Sequence, residues 1–208
     1  MLLWSALTAC ADDPGRFPIV AVSKPDSEHI TSLRKTAFVG HPVPGHFTIC
    51  HGNTCRLISP VNLTPMQWRR VTDIFQPPSL DVTQERGRIR QAVALLETLV
   101  GVQTGTDADL GQNAAGRGLP GQMDCIDEAA NTTVYLSMLR DAGLLRFHTV
   151  EHRTNRGVFA FTGGIPHATA VIRDRDSGQR YAVDSWFLDN GEPPFIVPIA
   201  AWRAGWEP

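Results

Sequence analysis

The chain has 208 residues, of which 42% are hydrophobic and 19% are charged, and these values fit one folded domain and exclude a disordered chain. Its 19 Lys and Arg against 21 Asp and Glu give a formal net charge of −2, so nucleic acid is not an expected partner. Its four Cys are too few for a disulfide-rich scaffold. No apolar run approaches the roughly 20 residues that span a bilayer.

The first ten residues form an apolar segment that ends in Leu7-Thr8-Ala9-Cys10, and polar residues follow from Asp12. This end resembles the lipobox of bacterial lipoproteins, whose Cys is lipidated and becomes the mature N-terminus. The resemblance implies a signal over residues 1–10 and a periplasmic protein whose one membrane attachment is a lipid anchor at Cys10. The charged start of a secretory signal is missing from the sequence. An apolar N-terminal strand is the alternative interpretation.

Residues 11–35 are polar and interrupted by Pro, with one apolar patch at Ile19–Val22 that predicts a short strand. We therefore expect a tether over 11–35 and a folded body that starts near residue 36. An N-terminal β-hairpin region is expected over 36–63 and the main domain over 64–208.

Cys50 and Cys55 enclose four turn-forming residues, 51–54, between the apolar segments Phe47–Ile49 and Leu57–Ile58. This pattern predicts a β-hairpin in which the two Cys face each other at a Cα separation of about 4.5–5.5 Å, which suits a disulfide. An oxidising compartment closes such a bond, in agreement with export. Half of a zinc site is the alternative, but such a site needs a second ligand pair, and the sequence contains none.

Two helices are predicted before the middle of the chain. Thr64 is a suitable N-cap and Pro65 a suitable first residue for a helix that ends before Pro77. From Thr83 to Val100 the apolar residues recur at helical spacing, and Gly101 is expected just past the helix end.

An irregular Gly-rich loop is predicted over 102–121, a length that is often functional inside a compact domain. Its Asp107-x-Asp109-x-Gly111 segment superficially resembles a calcium loop. However, the twelfth position counted from Asp107 is Gly118 and not Glu. We therefore interpret Asp107 and Asp109 as solvated loop residues.

A third helix is predicted from Asp124-Cys125-Ile126-Asp127-Glu128 to about Ala142, with Gly143 as its stop. Asp124 is the expected N-cap and Cys125 the first helical residue, where the helix dipole favours the thiolate over the thiol. The neighbouring carboxylates oppose this effect. A nearby imidazolium is therefore needed to activate the sulfur.

Beyond this helix, the alternation of apolar and polar residues predicts strands. The turn at Asp176-Ser177-Gly178 makes the third and fourth strands a hairpin. This hairpin brings His167 within one or two residue pairs of Asp184, with a bulge as a means of placing both side chains on one face. The predicted strands are Arg146–His152, Val158–Thr162, His167–Arg173, Arg180–Phe187 and Phe195–Ile199.

Other residues compete for the same roles. His148 and His152 are alternative bases, but their position directly after the helix favours exposed strand or loop residues. Trp186 is interpreted as a packing residue that can also shield a His–Asp pair. Asp189 and Asn190 are the next candidates for the acid if Asp184 is not the residue.

Cys125, His167 and Asp184 offer a nucleophile, a general base and an orienting acid in that order. Their surroundings are Asp-Cys-Ile-Asp-Glu at a helix start, Pro-His-Ala-Thr-Ala at a strand start, and Tyr-Ala-Val-Asp-Ser-Trp in the next strand. Over residues 60–205 this resembles the transglutaminase-like branch of the papain-like superfamily. The similarity is greatest to the bacterial transglutaminase-like cysteine proteases of the periplasm.

The resemblance implies an α+β fold in which the helix that begins with Cys125 packs on an antiparallel sheet carrying His167 and Asp184. It implies peptidase or amidase chemistry through a thioester, on a protein, peptide or cell-wall peptide, with transamidation by the same residues as the alternative. Gln122 and the Cys125 amide are the expected oxyanion donors. A non-catalytic lipoprotein that keeps the fold as a binding or assembly module is the second alternative.

No cofactor is required for this chemistry. Some of the periplasmic proteases use calcium near the Cys loop, and Asp124, Asp127 and Glu128 are the matching acids here. The lipobox and the Cys50/Cys55 hairpin depart from the family pattern, which indicates a distinct subfamily with its own substrate.

Overall fold

The computed structural model describes residues 20–21, 41–113, 119–157 and 166–208. The predicted signal with Cys10, the predicted tether apart from residues 20–21 and the predicted strand Val158–Thr162 lie outside the described residues. The described part contains helices and two antiparallel sheets. This mixed α/β architecture is compatible with the predicted α+β class.

The helices begin and end largely where local signals place them. Thr64 caps the first helix, because its hydroxyl accepts the Gln67 amide while the Gln67 side chain accepts the Thr64 amide. The third helix ends before Gly143, which has a left-handed φ of 69°. The described helices are α1 (Pro65–Asp73), α2 (Val82–Thr104), α3 (Cys125–Asp141) and the short α4 (Ile199–Arg203).

Helix α2 is longer than its sequence pattern predicts. The expectation that it stops at Gly101 is wrong, because the helix continues to Thr104 and ends at Gly105, which has a φ of 72°. Gly101 serves a different purpose, since a Cβ atom there would lie 2.9 Å from the Cα atom of Asp107. The loop after α2 therefore packs directly against the last turns of the helix, and only glycine leaves room for it.

Both sheets are antiparallel throughout. The small sheet has the order β1-β3-β2, and the large sheet has the sequential order β4-β5-β6-β7. The strands are β1 (Val20–Ala21), β2 (Phe47–His51), β3 (Leu57–Val61), β4 (His148–Arg156), β5 (His167–Asp174), β6 (Arg180–Asp184) and β7 (Phe195–Pro198).

Helix α3 lies between the sheets. It packs against β5, β4 and β6 of the large sheet, against β2 of the small sheet and against α2. One apolar core joins Phe47 and Val61 of the small sheet to Leu136 of α3 and Ile172 of β5. Burying each such side chain contributes about 1.5–3 kcal/mol, so the helix that begins with Cys125 holds the two sheets together. No helix in the described ranges is long and apolar enough to cross a membrane.

The predicted disulfide is present, with Cα atoms 4.6 Å apart, but its geometry differs from the expectation. Cys50 lies opposite Ile58 in the β2–β3 ladder, so the prediction that the two Cys face each other across the strands is wrong. Cys55 lies in the turn, at the end of four consecutive residues, Gly52 to Cys55, that all have positive φ values. The disulfide therefore ties the end of β2 to a left-handed turn.

The disulfide is expected to stabilise the hairpin without being essential for folding. The loop that it closes is short, and the chain-entropy model gives about 2 kcal/mol for a loop of this size. The double variant Cys50→Ala/Cys55→Ala should therefore unfold cooperatively in urea with a free energy of unfolding lower by about that amount.

Urea unfolding of wild type with and without reductant provides the matched comparison. Mass spectrometry of the oxidised protein should find Cys50 linked to Cys55 and Cys125 free. A double variant without a cooperative transition would show that the turn depends entirely on the covalent bond.

Candidate active site

The site begins at the N-terminus of α3. Asp124 is the N-cap, as predicted: its Oδ1 accepts the amides of Ile126 and Asp127, both at 3.0 Å. Asp127 completes a capping box, because its Oδ2 accepts the Asp124 amide at 3.3 Å. Cys125 is thus the first helical residue, and its side chain is partly exposed.

The hairpin turn supplies further donors to these two acids. The amides of Asn53 and Cys55 donate to Asp127 at 2.8 and 2.5 Å, and the Thr54 amide donates to Asp124 at 2.9 Å. Successive residues in a left-handed turn can point their N–H groups into one concavity that accepts an anion. The Cys50/Cys55 hairpin is therefore part of the site, because its amides donate to the acids on either side of Cys125.

These hydrogen bonds bear on the predicted calcium ligands. Asp124 and Asp127 each accept amide hydrogens on both carboxylate oxygens, and Glu128 interacts with Asp109 instead. Of the described His, Cys, Asp and Glu residues, Cys50, Cys55 and Asp127 form the one group whose ligand atoms all lie within 4.8 Å of one another. The sulfur atoms of these two Cys are joined in the disulfide. Asp124 and Asp127 thus form a hydrogen-bonded helix cap, and calcium binding by these acids stays a prediction.

His167 and Asp184 form a buried pair, with 2.7 Å between His167 Nε2 and Asp184 Oδ2. The β5–β6 ladder runs without interruption from Arg173 to Ala170, which lies opposite Val183. Continuing that register places His167 on the same face as Asp184, since alternate residues of a strand share a face. The described pairs of this ladder contain no bulge, and none is needed to bring the two side chains to one face. The irregularity in this sheet lies in β4 instead.

Cys125 lies against the start of β5. Its Sγ is 3.9 Å from the carbonyl oxygen of Pro166 and also interacts with the amide of Ala168. These two residues flank His167 in the chain. Because Nε2 of His167 is bonded to Asp184, Nδ1 is the ring nitrogen left for proton exchange with a thiol.

The electrostatic surroundings of the thiol differ from the expectation of a stabilised thiolate. Burial raises the pKa of Cys125 to about 11, and the carboxylates of Asp124, Asp184 and Asp127 add to this effect. The Ala168 amide lowers the pKa but does not outweigh the other contributions. The resting form of Cys125 at neutral pH is therefore the thiol.

Three aromatic rings surround His167. Its ring centroid lies 4.8 Å from that of Trp186, 5.2 Å from Phe187 and 5.5 Å from Trp202. Trp186 therefore packs on the His167 ring, in keeping with its predicted shielding role. Together the rings exclude water from much of the imidazole and strengthen its bond to Asp184.

Trp202 is the site residue that sequence reasoning missed. It lies in α4, and its Nε1–H donates to Asp184 Oδ2 at 2.6 Å. One signal was available, since Trp202 and Trp206 occur within the last seven residues of an otherwise polar end. Nothing in that pattern, however, indicated a contact with Asp184.

Gln122 lies beside the loop that precedes it. Its Nε2 donates to the Ala108 carbonyl at 2.8 Å, and its Oε1 accepts from the Leu110 amide and from the side chain of Asn113. One Nε2 hydrogen is thus used to hold the loop. The assignment of Gln122 as an oxyanion donor stays a prediction that depends on the second hydrogen. The Cys125 amide has no acceptor within the helix, as is general for the first helical turn.

The alternative bases and acids occupy other places. His148 is fully buried and bonds through Nδ1 to Glu85 at 2.8 Å, so the interpretation of His148 as exposed is wrong. It lies opposite Asp174 in the β4–β5 ladder, whereas His167 lies at the other end of β5. His152 is exposed. Asp189 accepts the Gly111 amide at 2.8 Å and thereby fixes the loop that follows α2.

Glu128 of α3 belongs to a cluster of buried acids together with Glu97 and Asp109. Asp109 accepts the Met123 amide at 2.8 Å and interacts with Glu128, so the interpretation of Asp109 as solvated is wrong. Burial raises the pKa of Asp109 to about 6 and that of Glu97 to about 8. It also raises the pKa of Glu128 well above its usual value.

No protein-family model, curated protein or solved structure matches the chain. The class of site is therefore defined by its own residues. A helix-terminal thiol, a strand-borne imidazole and a carboxylate on the adjacent strand occur together, in the chain order Cys125, His167, Asp184.

The buried acids make stability depend on pH. Glu97, Asp109 and Asp127 have folded-state pKa values of about 8, 6 and 8, all above their values in the unfolded chain. The folded state therefore holds protons that the unfolded chain has released, and stability falls as pH rises through these values. The melting temperature should decrease from about pH 5 to about pH 9.

Differential scanning fluorimetry across this range checks the slope. Glu97→Gln removes one of the titrating groups and should make the decrease shallower. Glu192→Gln, at an exposed acid, is the matched control and should reproduce the wild-type slope. A melting temperature that rises over the whole range would contradict the raised pKa values.

Proposed function

We propose that the protein is a thiol hydrolase, a cysteine peptidase or amidase, that uses Cys125, His167 and Asp184 through a thioester intermediate. One observation carries the proposal. The buried His167–Asp184 pair has 2.7 Å between Nε2 and Oδ2, and the Cys125 sulfur contacts the two residues that flank His167. The same three residues support a place in the transglutaminase-like branch of the papain-like superfamily.

The raised pKa of Cys125 favours removal of the proton during attack over a preformed thiolate–imidazolium pair. In this mechanism His167 Nδ1 takes the Sγ proton as the sulfur bonds to the substrate carbonyl carbon. The imidazolium that forms is stabilised by the Asp184 side chain, to which it stays hydrogen-bonded. The Cys125 amide, and Gln122 if its second hydrogen is available, donate to the carbonyl oxygen as it becomes negative.

His167 then gives its proton to the amine as the carbon–nitrogen bond breaks, which leaves a thioester on Cys125. Water, deprotonated by His167, attacks the thioester and releases the carboxylic acid and the thiol. A primary amine in place of water gives transamidation with the same residues. The substrate class that suits this chemistry is an amide in a protein, a peptide or a cell-wall peptide, in the periplasm if Cys10 is lipidated.

One observation favours a second function. A thiol with a pKa raised to about 11 is a weak nucleophile at neutral pH unless His167 takes its proton. A module that keeps the fold for binding or assembly would retain such an inert thiol. The two functions therefore differ in whether Cys125 reactivity depends on His167.

Alkylation by iodoacetamide as a function of pH separates the two functions. In the enzyme, wild-type Cys125 should react at neutral pH, whereas in His167→Ala the rate should rise only as pH approaches the thiol pKa. Asp184→Asn should lose activity by as much as about 10⁴-fold, the loss that the same change causes in serine-protease triads. Cys125→Ala should abolish both labelling at this site and turnover.

Turnover is measured by mass spectrometry on a peptide mixture, with and without an added primary amine to detect transfer. Circular dichroism serves as the folding control. If folded His167→Ala and wild type give the same alkylation profile, His167 is not the base and the binding module is the better conclusion.

A further inference from the structure

We infer that Trp202 is a positioning residue for the His167–Asp184 pair and that α4 is the element that places it there. This inference rests on the proposed function. Trp202 is fully buried, and its indole N–H donates to the same Asp184 oxygen that bonds to His167 Nε2, at 2.6 and 2.7 Å. Two donors on one carboxylate oxygen fix the orientation of the carboxylate and thereby that of the imidazole.

Arg156 holds Trp202 in this position. Its guanidinium carbon lies 4.8 Å from the centroid of the Trp202 ring, and Nη1 donates to the carbonyl oxygens of Trp202 and Trp206, the latter at 2.8 Å. The Trp202 carbonyl also accepts the Gly205 amide at 3.2 Å, so Arg156 adds a donor from β4 and ties α4 and the segment after it to that strand. Arg156 lies directly opposite His167 in the β4–β5 ladder. The strand beside His167 thus anchors the donor to Asp184.

A second link joins the same two elements. Arg203 of α4 donates to the Thr154 hydroxyl of β4 at 3.1 Å. Since Asp184 is itself nearly inaccessible to solvent, water cannot easily replace the indole donor. Loss of one hydrogen bond to a charged group should therefore lower the rate of a reaction that depends on this pair by about tenfold to 100-fold.

The test compares Trp202→Phe with Trp206→Phe in the full chain. The Trp206 ring packs on Phe187 and Phe195, so Trp206→Phe is a matched change in the same segment. Trp202→Phe should slow the His167-dependent alkylation of Cys125 by about tenfold to 100-fold. It should also speed solvent exchange of the His167 Nε2 proton in NMR spectra, which a purely structural role would not do. Trp206→Phe should stay within about twofold of wild type.

Unchanged proton exchange in folded Trp202→Phe overturns the inference, whatever the alkylation rate. If wild-type Cys125 shows no His167-dependent reactivity, the proposed function fails, while the Nε2 exchange still tests the role of Trp202. If Trp202→Phe does not fold, Arg156→Gln decides, because it keeps the indole but removes its anchor. Faster solvent exchange of the His167 Nε2 proton in Arg156→Gln supports the inference. An exchange rate equal to that of the wild-type protein overturns it.

Discussion

The hydrogen bonds between the left-handed turn at residues 53–55 and the carboxylates of Asp124 and Asp127 are the interaction on which the rest of the site depends. Buried carboxylates are costly unless donors surround them, and the N-terminus of α3 has acids on both sides of Cys125, the N-cap Asp124 and Asp127 of the first turn. Three consecutive amides from the hairpin satisfy them. Because α3 also packs against the large sheet, this contact fixes the sulfur relative to the strand that carries His167.

The same acids shape the chemistry. Burial raises the pKa of the Cys125 thiol and these acids add to the effect, so the proposed mechanism resembles that of a hydroxyl–imidazole–carboxylate triad more than that of a preformed ion pair. In the proposed mechanism the cost of a neutral nucleophile is offset where charge develops, since three aromatic rings surround His167 and Asp184 bonds to both His167 and Trp202. Low local polarity strengthens those hydrogen bonds, and it also destabilises the charged thiolate relative to the thiol. In the proposed mechanism the reactivity of Cys125 then depends on how well the His167–Asp184 pair is held.

Much of the fold and part of the site were predictable from local sequence. The caps at Thr64 and Asp124, the position of Cys125 at a helix start and the β5–β6 hairpin that joins His167 to Asp184 all follow from residues close in the chain. Capping, turn formation and alternation are short-range effects, since each depends on neighbouring residues that contact one another in almost any fold. The Cys50–Cys55 bond was predictable for the same reason, because only four residues separate the two Cys.

The sequence by itself thus determined the three long helices and their order, the start of α3 and the nearness of His167 to Asp184, but it did not predict α4. Only the tertiary structure decided that Trp202 donates a hydrogen bond to Asp184, that the hairpin amides donate to Asp127 and that Asp109 is buried. The residues of the hairpin and α3 contacts lie more than 70 positions apart. Such contacts depend on which loop or terminus packs against which helix. Hydrophobic periodicity carries no information about that choice, because it identifies the face of an element that is buried and not the residue that covers it.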